Sequence, residues 1–491
     1  MHKYDVAVIG CGIAGMATAI RLQAAGKSTL ILESHGQPGG CAGFYSKKGF
    51  NFDVGATTLV DFEPDGIGGE LFNNVGLKMP ESEALDYQLW LPKKIVYLYR
   101  DKNKWHKERA EKLGNTPAHH AFWALMDNLA NTFWSASRLG LKLPVQSFGD
   151  VLKAVKRIGI RDILLIRFLN YTVIDILKKY NLENDTELKA VLSMLVEDTV
   201  NSTLEAAPLI NAALGITIRG AGLRRAKGGM KGFWLHLAEH YKKLGGVLLV
   251  GQKVEKLEFV DKKYSLITQK GSFHAQQVVS AIPAESTMNI APSKIKQLLN
   301  YYVDRDKENY ESAIVVFLGV PDSEVACQEL THHQLLYDHN LPLGNGNNMF
   351  ISVSAPGDTN SAPEGYRSVM ISTHCKLGEW KNLTEEDYQV KKDDMGNRLL
   401  TLARKIYPEL GANAIIYEVG TPRTYQKYTG RINGTVGGVR QNLRNSNCKA
   451  IPHHIGVKNF RMVGDTTWPG LGTVACIVGS KIVADQLLKE A

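Results

Sequence analysis

The sequence predicts an α/β protein, and three observations carry that prediction. A short apolar run, Tyr4–Ile9, leads straight into Gly10-Cys11-Gly12-Ile13-Ala14-Gly15. A helix-period segment, Met16–Ala25, follows, and a second apolar run, Thr29–Leu32, ends on Glu33. Far downstream, a third strand-like run, Phe460–Val463, ends in Gly464-Asp465 and precedes a last helical segment, Val474–Leu488.

The first two observations together make one βαβ unit with an acidic end, and each part has a physical task in holding a dinucleotide. Gly10 allows the tight turn, Gly12 removes a side chain where backbone approaches a pyrophosphate, and Gly15 lets helix and strand lie close. The helix start at Ile13 and Ala14 offers free N–H groups and the positive end of the helix dipole. Glu33 stands at the spacing that accepts hydrogen bonds from a ribose 2′-hydroxyl, and its charge repels a 2′-phosphate there. The adenine dinucleotide is therefore NAD or FAD.

At 491 residues the chain exceeds the size at which a single core keeps growing, so two structural regions are expected. The composition, 44% hydrophobic and 22% charged, is that of a soluble globular protein. A net charge of +9 permits attraction to anionic lipid or nucleic acid without specifying either, and nucleic-acid binding, resting on charge alone, is not expected. The six cysteines are scattered without a CxxC pair, which reads as reduced thiols. The paired histidines (His119-His120, His332-His333, His453-His454) lack a third ligand at metal spacing, so no metal is expected. The first strand begins almost at the N-terminus, leaving no visible signal peptide, and eighteen consecutive apolar residues occur nowhere. A cytoplasmic protein, at most peripheral on a membrane surface, is the expectation.

After Glu33 comes a second glycine-rich loop, Gly36–Gly43, then short strand-like runs at Phe44-Tyr45 and Phe50–Asp53, then Val54-Gly55-Ala56-Thr57-Thr58-Leu59. This succession of GxGxxG, Glu, PGG and GFxFDxG resembles the FAD-binding start of the amine oxidase and phytoene desaturase superfamily. Within it, GGCAGFYSKKGFNFDVGATTL is most similar to the carotenoid isomerase, carotenoid desaturase and retinol saturase branch. Amine oxidases usually carry Arg where this chain has Cys41, a departure that leaves one phosphate contact unassigned.

The resemblance implies a Rossmann-like FAD-binding domain of amine-oxidase type, assembled from residues 1–75, 222–290 and 450–491. An α+β substrate domain is inserted as 76–221, with a helical section, and 291–449. It further implies cofactor contacts at Gly39, Gly40, Gly55, Ala56 and Thr57, and at Val254, whose backbone meets the adenine. Gly228-Gly229-Met230 matches the element that re-enters the cofactor domain, followed by an amphipathic helix over Phe233–Leu244. Arg224, Arg225 and Lys227 before it are either surface charges or charges near the flavin or substrate entrance.

From Lys104 to Gly215 the pattern is mostly helical. Val151–Tyr180 mixes a strong apolar face with Lys153, Lys156, Arg157, Arg161, Arg167, Lys178 and Lys179, opposed only by Asp162 and Asp175. Such a stretch lies either in a bilayer interface, its cations toward anionic head groups, or as surface helices packed by one face on the core. Relatives that act on lipid-soluble polyenes must collect substrate from membranes. For proton work, the weak candidates are Glu197, Asp198, Glu205 and Arg219.

In the last block a strand ends in Gly464-Asp465, so the carboxylate can bond ribityl hydroxyls. Gly470, Leu471, Thr473 and Val474 then bring a second helix N-terminus to the electron-rich pyrimidine edge of a flavin. A nicotinamide dehydrogenase would not need this half of the site, so the cofactor is expected to be FAD. The function the resemblance implies is an FAD-dependent oxidoreductase acting on C–C or C=C bonds of a long apolar conjugated molecule such as a carotenoid. Its chemistry would be desaturation, saturation or redox-assisted cis–trans isomerisation. With no second dinucleotide motif, electrons come and go by quinone, oxygen or a diffusing reductant. The alternatives are a flavin amine oxidase or a non-catalytic flavin-binding protein.

Overall fold

Val6, Val8 and Ile31 belong to one core and Ala7, Ile9, Leu30 and Leu32 to another, so the strands Lys3–Ile9 and Thr29–Leu32 are buried on both faces. That is the signature of central strands in a sheet covered by helices on both sides. The computed structural model describes residues 3–490 except 145–148, 150, 151, 153, 154 and 157–162.

The first sheet has seven strands. Val247–Leu249, Thr29–Leu32, Lys3–Ile9 and Gly271–Ser280 pair in parallel in that order, and Phe460–Met462 lies parallel to the end of the last. Lys263–Thr268 and Val254–Val260 extend it as an antiparallel meander. Its strands thus come from three stretches of chain separated by hundreds of residues. The helix Ile13–Ala24 and the C-terminal helix Thr473–Lys489 share one core cluster on one face, while residues from Ala284 to Leu299 contribute to the cluster on the other.

The second sheet, also seven strands, runs Ile416–Gly420, Glu311–Pro321, Tyr366–Lys376, Asn348–Val353, His332–Leu336, Tyr87–Trp90, Ile95–Leu98. It is antiparallel except where His332–Leu336 meets Tyr87–Trp90. The helix Glu385–Ala403 covers one face through its own core cluster. The helices Pro117–Arg138, Thr186–Val200 and Leu209–Ile216 pack into the same core cluster as the helix Ile13–Ala24. None of the described helices is long and apolar enough to cross a membrane.

The helix expected over Phe233–Leu244 starts earlier, spanning Gly229–Lys243. Side chains distant in sequence account for the extra turn. Asp53 accepts the N–H of Met230 at 2.7 Å, and Asp358 accepts that of Gly228 at 2.9 Å. These carboxylates satisfy orphan donors of the first turn, which local sequence cannot do. Of the basic stretch, Lys156, Arg167, Lys178 and Lys179 are described and exposed. Lys153, Arg157, Arg161 and Asp162 lie outside the described residues.

Candidate functional site

A cavity of about 1720 Å³ runs between the first sheet, the second sheet and the helices. Both glycine turns meet at one end of it. Gly10 takes φ +97°, a backbone that L side chains rarely adopt, and donates its N–H to the Leu32 carbonyl at 2.8 Å. The second turn is tied to the first, because Gly39 donates to the Cys11 carbonyl at 3.0 Å. A Cβ on Gly40 would stand 3.4 Å from the Gly12 Cα, while one on Gly12 would meet nothing within 4 Å and project into open space. Gly15 is set back from the cavity, and a side chain there would strike the Gly10 carbonyl, so its place is in helix–strand packing.

The helix after Gly12 begins with no side chain capping it, and so does the helix after Gly472. Gly12, Ile13 and Ala14 line the cavity at one start, Thr473 and Val474 at the other, so two helix N-termini offer unpaired N–H groups to the same space. Gly55, Ala56, Thr57, Val254, Gly464, Asp465 and Leu471 also line it. Gly470 does not: it abuts the Gln441 side chain behind the wall.

Glu33 reaches the cavity with its carboxylate already engaged. Oε2 accepts the Cys11 N–H at 2.6 Å, and Oε1 accepts the His35 N–H at 2.7 Å and the Ser34 hydroxyl at 3.2 Å. A carboxylate has about four lone-pair positions, so room for a further donor remains at Oε2. The residue serves the turn as well as any ligand.

Asp465, which the sequence reading gives to ribityl hydroxyls, lines the cavity with one of its two oxygens already engaged. Arg431 donates from Nη2 to its Oδ2 at 2.5 Å, and both Arg431 and Cys41 line the cavity. Burial works most strongly against the guanidinium charge, but Asp465, together with Cys41 and Cys476, outweighs it and raises the Arg431 pKa. Burial pushes the Cys41 thiol up, with Arg431 pulling the other way. Sequence reasoning missed Arg431, and no local pattern marks it.

The helical section contributes Phe133, Trp134, Leu141, Ile210, Leu214 and Ile218 to the cavity wall. Of the four candidates for proton work, three line the cavity. Asp198 accepts from Arg219 Nη2 at 3.1 Å and from Gln334 Nε2 at 3.2 Å, and Arg219 lies 5.1 Å over the Tyr87 ring. Glu197 is buried and accepts from Asn348 Nδ2. Burial pushes its carboxyl up to about 7, with Asp198 adding to the rise while the Asn348 bond and Arg440 oppose it. Glu205 is exposed and does not line this cavity. Arg224, Arg225 and Lys227 also lie off the cavity wall. Arg225 is buried against Asp53 and the Thr57 carbonyl, Arg224 holds Glu63 at 3.2 Å, and Lys227 pairs with Glu81 at 3.1 Å. Of the three, Arg225 braces the Gly55–Thr57 loop.

The sequence profile of the family described as flavin containing amine oxidoreductase matches residues 13–487. The chain belongs to this family. Within reach of it stands the chloroplastic prolycopene isomerase of Daucus carota, 25% identical over 100% of this chain and 80% of that protein. The lycopene-forming phytoene desaturase of Pantoea ananas is 24% identical over 98% of this chain and 99% of its own. The solved structure of cyclohexylamine oxidase from Brevibacterium oxydans has the same fold, with a TM-score of 0.61 at 17% identity and 99% of both chains covered.

The cofactor of this flavin-containing oxidoreductase is FAD. The donor set fits it. Two uncapped helix N-termini, the open space before Gly12 and the unpartnered Nη1 of Arg431 suit a diphosphate-bearing ligand, while the carboxylate of Glu33 suits a ribose. When bound, FAD supplies the capacity to take up or return a pair of electrons.

Proposed function

We propose that this flavoprotein acts on carbon–carbon bonds of a long, apolar, conjugated molecule of the carotenoid or polyene class. The reaction is desaturation, saturation or redox-assisted cis–trans isomerisation. The carrying observation is the cavity. At about 1720 Å³ it exceeds the ~300–1,000 Å³ of an ordinary ligand site, and the helical section walls part of it with aromatic and aliphatic side chains. A cofactor and a second, elongated apolar molecule fit one such space. The names of the carrot and Pantoea relatives support the same substrate class.

In this reading Gly10, Gly12, Ile13, Ala14, Gly39 and Gly40 surround the pyrophosphate, Glu33 and Val254 hold the adenosine end, and Gly55, Ala56, Thr57, Gly464 and Asp465 follow the ribityl chain. Leu471, Thr473 and Val474 meet the flavin ring, and Gly15 and Gly470 act behind the wall. The cofactor domain comprises 1–75, 222–290 and 450–491, and the substrate domain 76–221 and 291–449. The apolar part of the wall faces a membrane. Leu139, Leu152 and Leu164 expose 61%, 57% and 69% of their surface in the same helical section that carries cavity residue Leu141 and the exposed cations Arg167, Lys178 and Lys179. A section that exposes both apolar side chains and cations suits an anionic bilayer surface, from which a lipid-soluble substrate is drawn.

The test is anaerobic incubation of FAD-loaded protein with polyenes and, separately, with primary amines, including a prereduced sample for an isomerase that works only from reduced flavin. Polyene turnover or polyene-dependent flavin bleaching is expected. Bleaching by amines alone would overturn the reading. Flotation with anionic vesicles tests the membrane surface, and failure to float would remove that part.

A further inference from the structure

Arg431 sits where the two glycine turns and the Gly464-Asp465 turn converge. It follows Gly430, the left-handed residue closing the helix Pro422–Thr429, and its side chain is 13% exposed. One edge of its guanidinium is fixed by Asp465 at 2.5 Å. The Asp465 backbone is itself pressed by Gly438, where any side chain would collide with the Asp465 carbonyl. The loop from Arg431 to Gly438 is therefore folded tightly over that carboxylate. The remaining terminal nitrogen, Nη1, is buried and has no hydrogen-bond partner. An unpaired buried guanidinium N–H is costly in a finished structure, and one beside a cavity marks a contact still to be made.

What it would contact follows from charge. A pyrophosphate carries negative charge, and the glycine turns meet it with backbone dipoles only. Cys41, the side chain directly after Gly39-Gly40, brings no cation. Arg431 and Cys41 line the same cavity, close enough for the guanidinium charge to act on the thiol. We propose that Arg431 supplies the cationic contact to the FAD pyrophosphate that position 41 lacks, with Asp465 as the residue that aims its guanidinium. This rests on assigning the glycine turns to the pyrophosphate. Guanidinium is suited to the task because its fork can bond a carboxylate on one edge and a phosphate oxygen with the other.

The test measures FAD dissociation constants of the full chain, with far-UV circular dichroism as the check on folding. In Arg431→Met/Asp465→Asn, which removes the cation without stranding a carboxylate, the constant should rise about tenfold or more, as loss of a charge-assisted hydrogen bond implies. Adding Cys41→Arg to that variant should return it most of the way and restore the dependence on salt, because a cation would again stand at the same phosphate. A merely structural role for Arg431 would not be rescued from position 41. Should the double variant fold poorly, Arg431→Gln gives the same comparison with less disturbance. Unchanged FAD affinity in a folded Arg431 variant, or no recovery with Cys41→Arg, would overturn the inference. Unmodified protein that binds no FAD would instead overturn the cofactor site itself.

Discussion

Asn348 Nδ2 donates to Glu197 Oε2, joining the second sheet to the helix Thr186–Val200 across 151 positions of chain. Asn348 is itself fixed: its Oδ1 accepts the Gly344 N–H at 2.5 Å, and its carbonyl accepts the Thr373 hydroxyl at 2.7 Å. The turn that begins at Gly344 thus mounts the side chain that holds cavity residue Glu197.

That contact has a pH signature. Burial raises the Glu197 carboxyl from 4.5 to about 7, so the fold keeps a proton that the unfolded chain has released. Its contribution to stability is complete below pH 4.5 and is lost as pH rises from there to about 7, with no further change above. At ~1.4 kcal/mol per unit, the loss is about 3 kcal/mol at most. Glu197→Gln keeps an acceptor for Asn348 and should flatten this part of the profile in a series of chemical unfolding curves across that range. An identical slope in the variant would falsify the assignment.

The buried histidines act in the opposite sense. Burial lowers His333 and His453 from 6.5 to about 4 in the fold. Each is neutral when folded, and the unfolded chain takes up protons first as pH falls. Their contribution is present above pH 6.5 and drains away as pH falls toward 4, by about 3 kcal/mol each at most. His333→Gln, which can still meet the Tyr407 hydroxyl, should lose less stability on acidification than the parent chain. Equal acid sensitivity would count against this account.

Glu33→Gln tests the carboxylate at the first turn. Its two oxygens both accept N–H groups, from Cys11 and from His35, so an amide at this position must turn its NH2 toward a donor whichever way it faces. The cost should be about 1–3 kcal/mol, with weaker FAD retention as the Gly10–Gly12 turn loosens. Thermal melts with and without added FAD report both effects. A variant as stable and as yellow as the parent would show that the carboxylate does neither job.

Leu214→Trp probes the apolar end. Leu214 lines the cavity from the helix Leu209–Ile216, far in sequence from the glycine turns. The larger ring should leave FAD content unchanged while lowering turnover of a long polyene at least tenfold, ~1.4 kcal/mol in barrier. A shorter conjugated substrate should suffer less. Equal losses for both lengths would mean that the cavity wall here does not measure the substrate.

The βαβ start was readable because its parts interact within about thirty residues of one another, so turn, helix and acidic end follow from local pattern. The strands at Ile314–Gly319, Met349–Val353 and Val369–Thr373 were readable for the same reason, each a buried apolar run. Glu197 and Glu205 could not be told apart by sequence. They are the same residue type eight positions apart, and only the packing of the helix Thr186–Val200 buries one in the cavity and leaves the other in water.

The sequence by itself determined the dinucleotide unit, the flavin-type closing strand and helix, and the alternation of sheet and helix, because each is encoded in neighbouring residues. Only the packed fold brings Arg431 to Asp465 in the cavity that Cys41 also lines, sets Asn348 on Glu197, and starts the helix at Gly229 with Asp53 and Asp358. These pairings depend on how two sheets and a set of helices come together in space. A side chain's charge and burial are set by the partners it meets there, and a linear pattern does not carry that information.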